Sequence, residues 1–154
     1  MDQFTLLRLI KDGQAALAEM SAIERGLHIF WLLGPFVLLI ERSPADVWLT
    51  LLALAFVIRA IIRREGRFLK VFWVRAGFTF WGACLLSSAL SADPAYALGE
   101  AVAWIRFPLF AMANAFWLGR DRRLLYSMVI STALGLLAMC GILTAEILIE
   151  GQKD

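Results

Sequence analysis

Apolar and polar positions along this chain fall into long apolar blocks separated by short polar punctuation. The alternation of a half-buried strand is missing, and the blocks are too continuous for the narrow apolar stripe of a soluble helix. Five runs stand out, at 26–40, 45–62, 71–92, 101–118 and 124–149. A bilayer core asks for about 20 apolar residues in helical form. Eighteen residues already reach roughly 27 Å at 1.5 Å per residue. The first run, broken by Gly34-Pro35, is marginal by that measure and is expected to continue back through Ala22 and Ile23. In hydrocarbon every backbone polar group must be satisfied within the chain, so the runs predict helices. The expected fold is all-α: a polytopic transmembrane helical bundle of about five spans. The first 25 residues mix charges with Phe4, Leu6, Leu7, Ile10, Leu17, Met20 and Ile23 and contain no hydrophobic region of a cleavable signal. They predict an interfacial amphipathic helix, interrupted near Gly13. The organisation is thus an N-terminal segment, 1–25, followed by a transmembrane domain, 26–154.

Composition agrees. Hydrophobic residues make up 61% of the 154 and charged residues 18%, against about 45–50% and about 25% in soluble domains. The formal net charge of +2 carries less information than its distribution. Arg59, Arg63, Arg64, Arg67, Lys70 and Arg75 lie around the second connection between runs, and Arg120, Arg122 and Arg123 in the fourth. The 41–46 turn has only Arg42, the 91–100 turn has no basic residue, and the tail has only Lys153. Because Lys and Arg of short loops stay cytoplasmic, the N-terminus is expected inside and the C-terminus outside.

Candidate chemistry is sparse. Cys84 and Cys140 sit in apolar runs without metal or disulfide spacing and read as packed small hydrophobes. His28 is the one histidine; it and Glu146 are expected near opposite faces and cannot pair. No metal site, cofactor motif, nucleophile–base pair, phosphate-cradling glycine loop or nucleic-acid-binding pattern is present, so no catalytic residue is assigned. Arg106 is the exception: it lies within 101–118, two residues before Pro108. An intramembrane arginine costs about 2.5–3.5 kcal/mol on insertion scales. Pro108 removes a helix donor and frees the Trp104 carbonyl, which protein or water must re-satisfy. Arg106 either snorkels to the outer headgroups or holds a diphosphate or carboxylate in a crevice, where its planar fork suits phosphate oxygens.

Other features allow two readings each. Arg63, Arg64, Arg67 and Lys70 recognise anionic lipid or simply set topology. Arg75 is expected to snorkel, and Asn114 to hydrogen-bond between helices. Small residues at four-residue spacing, Ala83/Ser87/Ser91 and Ala111/Ala115/Gly119, are seams for close helix packing, within the chain or with a partner. Trp73, Trp81, Trp104 and Trp117 are expected mostly as interfacial anchors.

The stretch LLSSALSADPAYALGEAVAWIRFPLFAMANAFWL, 85–118, with its Ser-rich helix exit, Pro-containing turn and Arg106-Phe107-Pro108-Leu109-Phe110 run, resembles the early membrane region of the bacterial O-antigen ligase/polymerase family. The basic GRDRRLLY turn and the long helix ending ILIEG also fit. The resemblance implies a metal-independent, polytopic inner-membrane glycosyltransferase acting on undecaprenyl-diphosphate-linked glycan in lipopolysaccharide synthesis. It also implies a later periplasmic loop whose arginines and histidine hold the diphosphate. The chain stops before such a loop, and His28 does not map to that histidine. The expectation is therefore an N-terminal portion, inactive alone, with Arg106 as a lipid-diphosphate contact and membrane lipids as partners. The alternative is a small non-enzymatic membrane subunit or scaffold of an envelope complex, which would use the small-residue seams. A dimerising transporter half would need polar residues on several helices, and only Arg106 and Asn114 offer themselves.

Overall fold

The computed structural model describes residues 3–40 and 42–150, and these are helical with no strand. The tail residues 151–154, including Lys153, lie outside the described residues. The helices are α1 (Gln3–Ala18), α2 (Ala22–Leu32), α3 (Gly34–Ile40), α4 (Arg42–Ile62), α5 (Phe72–Ala89), α6 (Pro94–Ala103), α7 (Arg106–Ala113) and α8 (Arg122–Glu150). A 3₁₀ turn, Arg67–Lys70, precedes α5, and a π turn, Asn114–Leu118, follows α7.

Four stretches of the described residues are long and apolar enough to cross a membrane: Ala22–Leu39, Ser43–Ile62, Pro94–Leu118 and Arg122–Ile147. Of the five expected runs, 71–92 is the one that falls short of this criterion. The run 71–92 forms the shorter α5, in which Arg75, Thr79, Ser87 and Ser88 dilute the apolar content. The first span does extend back to Ala22, where Ser21 starts α2 by accepting the Glu24 N–H at 3.3 Å. This Ser21-x-x-Glu24 spacing is that of a capping box. α4 begins at Arg42, so most of the expected 41–46 turn is already helix, with Pro44 in the first turn where its missing donor does little harm.

The chain divides into two compact units, Met1–Trp48 with Arg120–Asp154, and Leu49–Gly119. In the first, α1 packs on the start of α8. It runs unbroken through Gly13, contrary to the expected interruption. Gly13 is buried, and a Cβ there would collide with the Ser127 hydroxyl. The glycine is thus a point of close helix approach. Arg123 joins the two helices, reaching Glu19 at 3.1 Å and Asp121 at 3.0 Å. Its hydrogen bonds hold the Glu19 carboxyl below the ordinary carboxylate range, with its charge adding to the effect, and they hold Asp121 below that range as well. Arg25 closes the end of α1 by donating to the carbonyls of Leu17 (2.9 Å), Ala18 (3.2 Å) and Met20 (3.3 Å).

Deeper in this unit Trp31 and Trp48 are buried. The Trp48 indole donates to the Phe30 carbonyl at 2.8 Å, and its ring covers Gly34 so closely that no Cβ fits there. The Ser131 hydroxyl donates to the Leu32 carbonyl, one of those left over where α2 ends. Gly135 lies against Pro35. Beyond it, residues 136–147 of α8 are exposed on every side, an apolar length suited to lipid. The hydroxyls of Thr132 and Thr144 are satisfied by their own helix, at Met128 (2.8 Å) and Cys140 (2.7 Å).

The second unit is built on Leu52, Ala53, Phe56, Ala60, Val74, Met112, Ala113, Trp117 and Leu118, all buried. Here α5 runs antiparallel to the 94–118 stretch. Trp73 stacks on Phe116 (centroids 5.6 Å apart, 5° between planes), Gly77 faces Pro108, and Trp81 reaches Ala101. Asp93 and Pro94 explain why the second arm starts where it does. The Asp93 carboxylate accepts the Tyr96 N–H at 3.3 Å, and Pro94 occupies the opening turn of α6.

Candidate functional site

Arg106 stands at a break. Helix α6 ends at Ala103 and α7 begins with Arg106 itself. The carbonyls that the break and Pro108 displace are recovered in two ways. The Phe107 N–H donates to Trp104 at 3.1 Å and the Ile105 N–H to Val102 at 3.2 Å, tightening the turn. The Trp81 indole donates to the Ala101 carbonyl at 2.8 Å from the neighbouring α5. The protein therefore supplies the re-satisfaction that Pro108 demands, and Trp81 has a packing role beyond interfacial anchoring.

The Arg106 side chain is half-buried. Its guanidinium carbon lies 5.2 Å from the centroid of the Phe107 ring, which in turn packs on Trp104 at 5.2 Å. The first turn of α7 follows directly on the C-terminal end of α6, so the opposite poles of the two helices offset each other at the break. Few of its backbone donors remain to grip an anion. Phe107 N–H serves Trp104, Leu109 N–H serves Ile105 at 3.2 Å, and Pro108 has none. An anion at this break would be held by the guanidinium fork.

At the other end of the same unit lie the basic residues. Arg63, Arg64, Arg67 and Lys70 are all exposed. Arg59, which the sequence reading counted only towards topology, lies over Trp117 at 5.4 Å and pairs with Glu65 at 3.0 Å. Trp117 is buried beneath it. Arg75 donates to the Lys70 carbonyl at 2.9 Å, folding back toward the basic turn as a snorkelling arginine would. Arg106 and this basic group are not brought together: the Trp81–Ala101 contact marks the Arg106 end of the hairpin and the Trp73–Phe116 stack the other.

Asn114 donates to the Phe110 carbonyl of its own helix at 2.8 Å. It opens the π turn, closed by Gly119 N–H to the Asn114 carbonyl at 2.9 Å. That wide turn shifts Gly119 out of phase with Ala111 and Ala115. Ala83, Ser87, Ala111 and Ala115 are exposed, whereas Ser91 and Gly119 at the seam ends are half-buried, so the first two positions of each seam are left largely uncovered by the described residues.

His28 is buried, and its Nδ1–H donates to the Glu24 carbonyl at 2.7 Å. No group of His, Cys, Asp and Glu among the described residues is arranged to hold a metal ion. Cys84 is half-buried and Cys140 exposed.

Compared with family models, curated proteins and solved structures, the chain matches none of them.

Proposed function

We infer that residues 1–154 form the early membrane region of a lipid-linked glycan transferase of the O-antigen ligase/polymerase type, seated in the bacterial inner membrane. In this reading Arg106 contributes to the crevice that receives undecaprenyl-diphosphate-linked saccharide on the outer side. The observation that carries the proposal is the position of Arg106: a half-buried guanidinium at the start of α7, in a break within an apolar span. Positive charge concentrated at a helix break of this kind favours an anionic group.

The hairpin supports one membrane arrangement. Although α5 is less apolar than its neighbours, it pairs antiparallel with 94–118 from Trp73 to Trp81 and, at eighteen residues, reaches roughly 27 Å. If one arm crosses, the other covers the same thickness. With α5 crossing, the basic turn at 63–70 and Arg120, Arg122 and Arg123 fall on one side, the cytoplasmic one by the positive-inside rule. The N-terminus then lies inside and the C-terminal end of α8 outside.

The test is binding of undecaprenyl diphosphate to the full chain in lipid nanodiscs. Arg106→Ala should weaken it by about tenfold or more, the worth of a charge-assisted hydrogen bond. Arg106→Lys, which keeps the charge and loses the fork, should fall between. Unchanged binding in both variants would remove Arg106 from the reading.

A second reading, a non-enzymatic subunit of an envelope complex, is favoured by the exposure of Ala83, Ser87, Ala111 and Ala115. Cysteine crosslinking from Ala111 in native membranes should then trap a partner helix. A monomeric product alone would count against it.

A further inference from the structure

Independently of Arg106, the second unit holds an open apolar groove of about 370 Å³ at its basic end. That volume falls in the range of small-ligand sites, roughly 300–1,000 Å³. Its walls include Phe56 and Val57 of α4, Phe68 and Leu69 of the 3₁₀ turn, Phe78 of α5 and Leu109 of α7. Arg64 is at its rim. Along α4, Phe56 lies two turns below Arg63, about 10 Å, so the groove is deep in the direction an acyl chain runs.

The backbone at the rim is unusual. Arg64 has φ 51°, the one positive φ at a non-glycine among the described residues. It closes α4 through two bonds, Arg64 N–H to Ile61 (3.1 Å) and Glu65 N–H to Ala60 (3.0 Å). This is the Schellman pattern, whose left-handed position normally takes glycine. Gly66, two residues on, shows that glycine is used in this same turn. Placing an arginine at the strained position puts a cation at the groove mouth at a conformational cost, a pairing characteristic of functional sites. Glu65, the acidic residue of the rim, is neutralised by Arg59 at 3.0 Å. Arg64 is exposed at the groove, and Arg67 and Lys70 are exposed on the 3₁₀ turn whose Phe68 and Leu69 form its wall.

We propose that this groove binds one anionic glycerophospholipid of the surrounding bilayer, with an acyl chain along Phe56, Phe68 and Phe78 and the phosphate at Arg64, beside the basic turn that carries Arg67 and Lys70. The occupant is assigned by complementarity: an almost wholly apolar trough with the Arg64 cation in its lining, next to a turn that is rich in exposed basic residues. A zwitterionic lipid would fill the trough but offer no net charge to the rim.

The experiment uses the full chain carrying Phe78→Trp as a reporter on the groove wall. It is reconstituted in phosphatidylcholine vesicles containing equal fractions of either brominated phosphatidylglycerol or brominated phosphatidylcholine, and the parent chain gives the background quenching. The reporter should be quenched more strongly by the phosphatidylglycerol. Each cation near the surface is worth about fivefold, so Arg64→Gln, Arg67→Gln and Lys70→Gln together should abolish the preference while leaving quenching by phosphatidylcholine and the far-ultraviolet helical signal intact. Equal quenching by the two lipids in the reporter chain would mean an ordinary lipid-facing surface and overturn the proposal. So would a preference that survives the triple substitution.

Discussion

The indole of Trp81 and the carbonyl of Ala101 are joined by a 2.8 Å hydrogen bond across the α5–α6 hairpin. The bond spends the one polar atom of an otherwise apolar ring on a carbonyl stranded where α6 ends. Trp81→Phe keeps the ring's packing and strands that carbonyl again. An unsatisfied buried acceptor costs about 1–3 kcal/mol, and interhelical bonds in bilayers have measured nearer the low end. Unfolding of the reconstituted variant should therefore show a loss of about 1 kcal/mol. Stability equal to the parent would mean that water or another donor serves Ala101.

Two glycines give a graded pair. A methyl at Gly13 meets the Ser127 hydroxyl, a small group with another rotamer available, whereas a methyl at Gly34 meets three ring atoms of Trp48. Overpacking typically costs about 1–3 kcal/mol, so Gly13→Ala should sit at the low end and Gly34→Ala at the high end or beyond. Adding Ser127→Ala should restore most of the Gly13→Ala loss and do nothing for Gly34→Ala. A double variant no better than Gly13→Ala alone would mean that α1 does not approach α8 at Ser127.

Acid should loosen α1 from α8. The Arg123 hydrogen bonds hold both Glu19 and Asp121 below the ordinary carboxylate range. Their stabilising contribution is complete above the unfolded values, near pH ~4. It is lost as pH falls through the depressed folded values. Spin labels at the exposed Ala15 and Tyr126 should report a docked distance at neutral pH and a broader one in strong acid. Arg123→Gln should broaden the distribution already at neutral pH; a distribution identical to the parent's would show the ion pairs to be idle.

The residues that failed to declare themselves in sequence have a common physical cause. Apolar runs mark helices because lipid demands internal hydrogen bonding, and 45–62 and 124–149 became Arg42–Ile62 and Arg122–Glu150. Gly13 was harder, because glycine as a breaker and glycine as a contact point leave the same letter; only the partner Ser127, more than a hundred residues away, tells them apart. The π turn has no signature in Asn-Ala-Phe-Trp-Leu, so a four-residue seam read through it loses phase at Gly119. Arg106 was conspicuous because charge in an apolar run is rare. The groove was not, since its walls come from α4, the 3₁₀ turn, α5 and α7.

Mechanically, the 94–118 stretch is a jointed rod. Ala101, ahead of the first irregular turn, and Phe116, within the second, are each pinned to α5, at Trp81 and Trp73. A straight helix carries a bending load along its own ladder of hydrogen bonds. Here the ladder is interrupted at 104–105 and widened at 114–118, so α5 acts as the splint that bears the load. A tug on the Arg106 end is transmitted to the Trp117 end through the neighbouring helix, and cutting either tryptophan pin would disconnect the two.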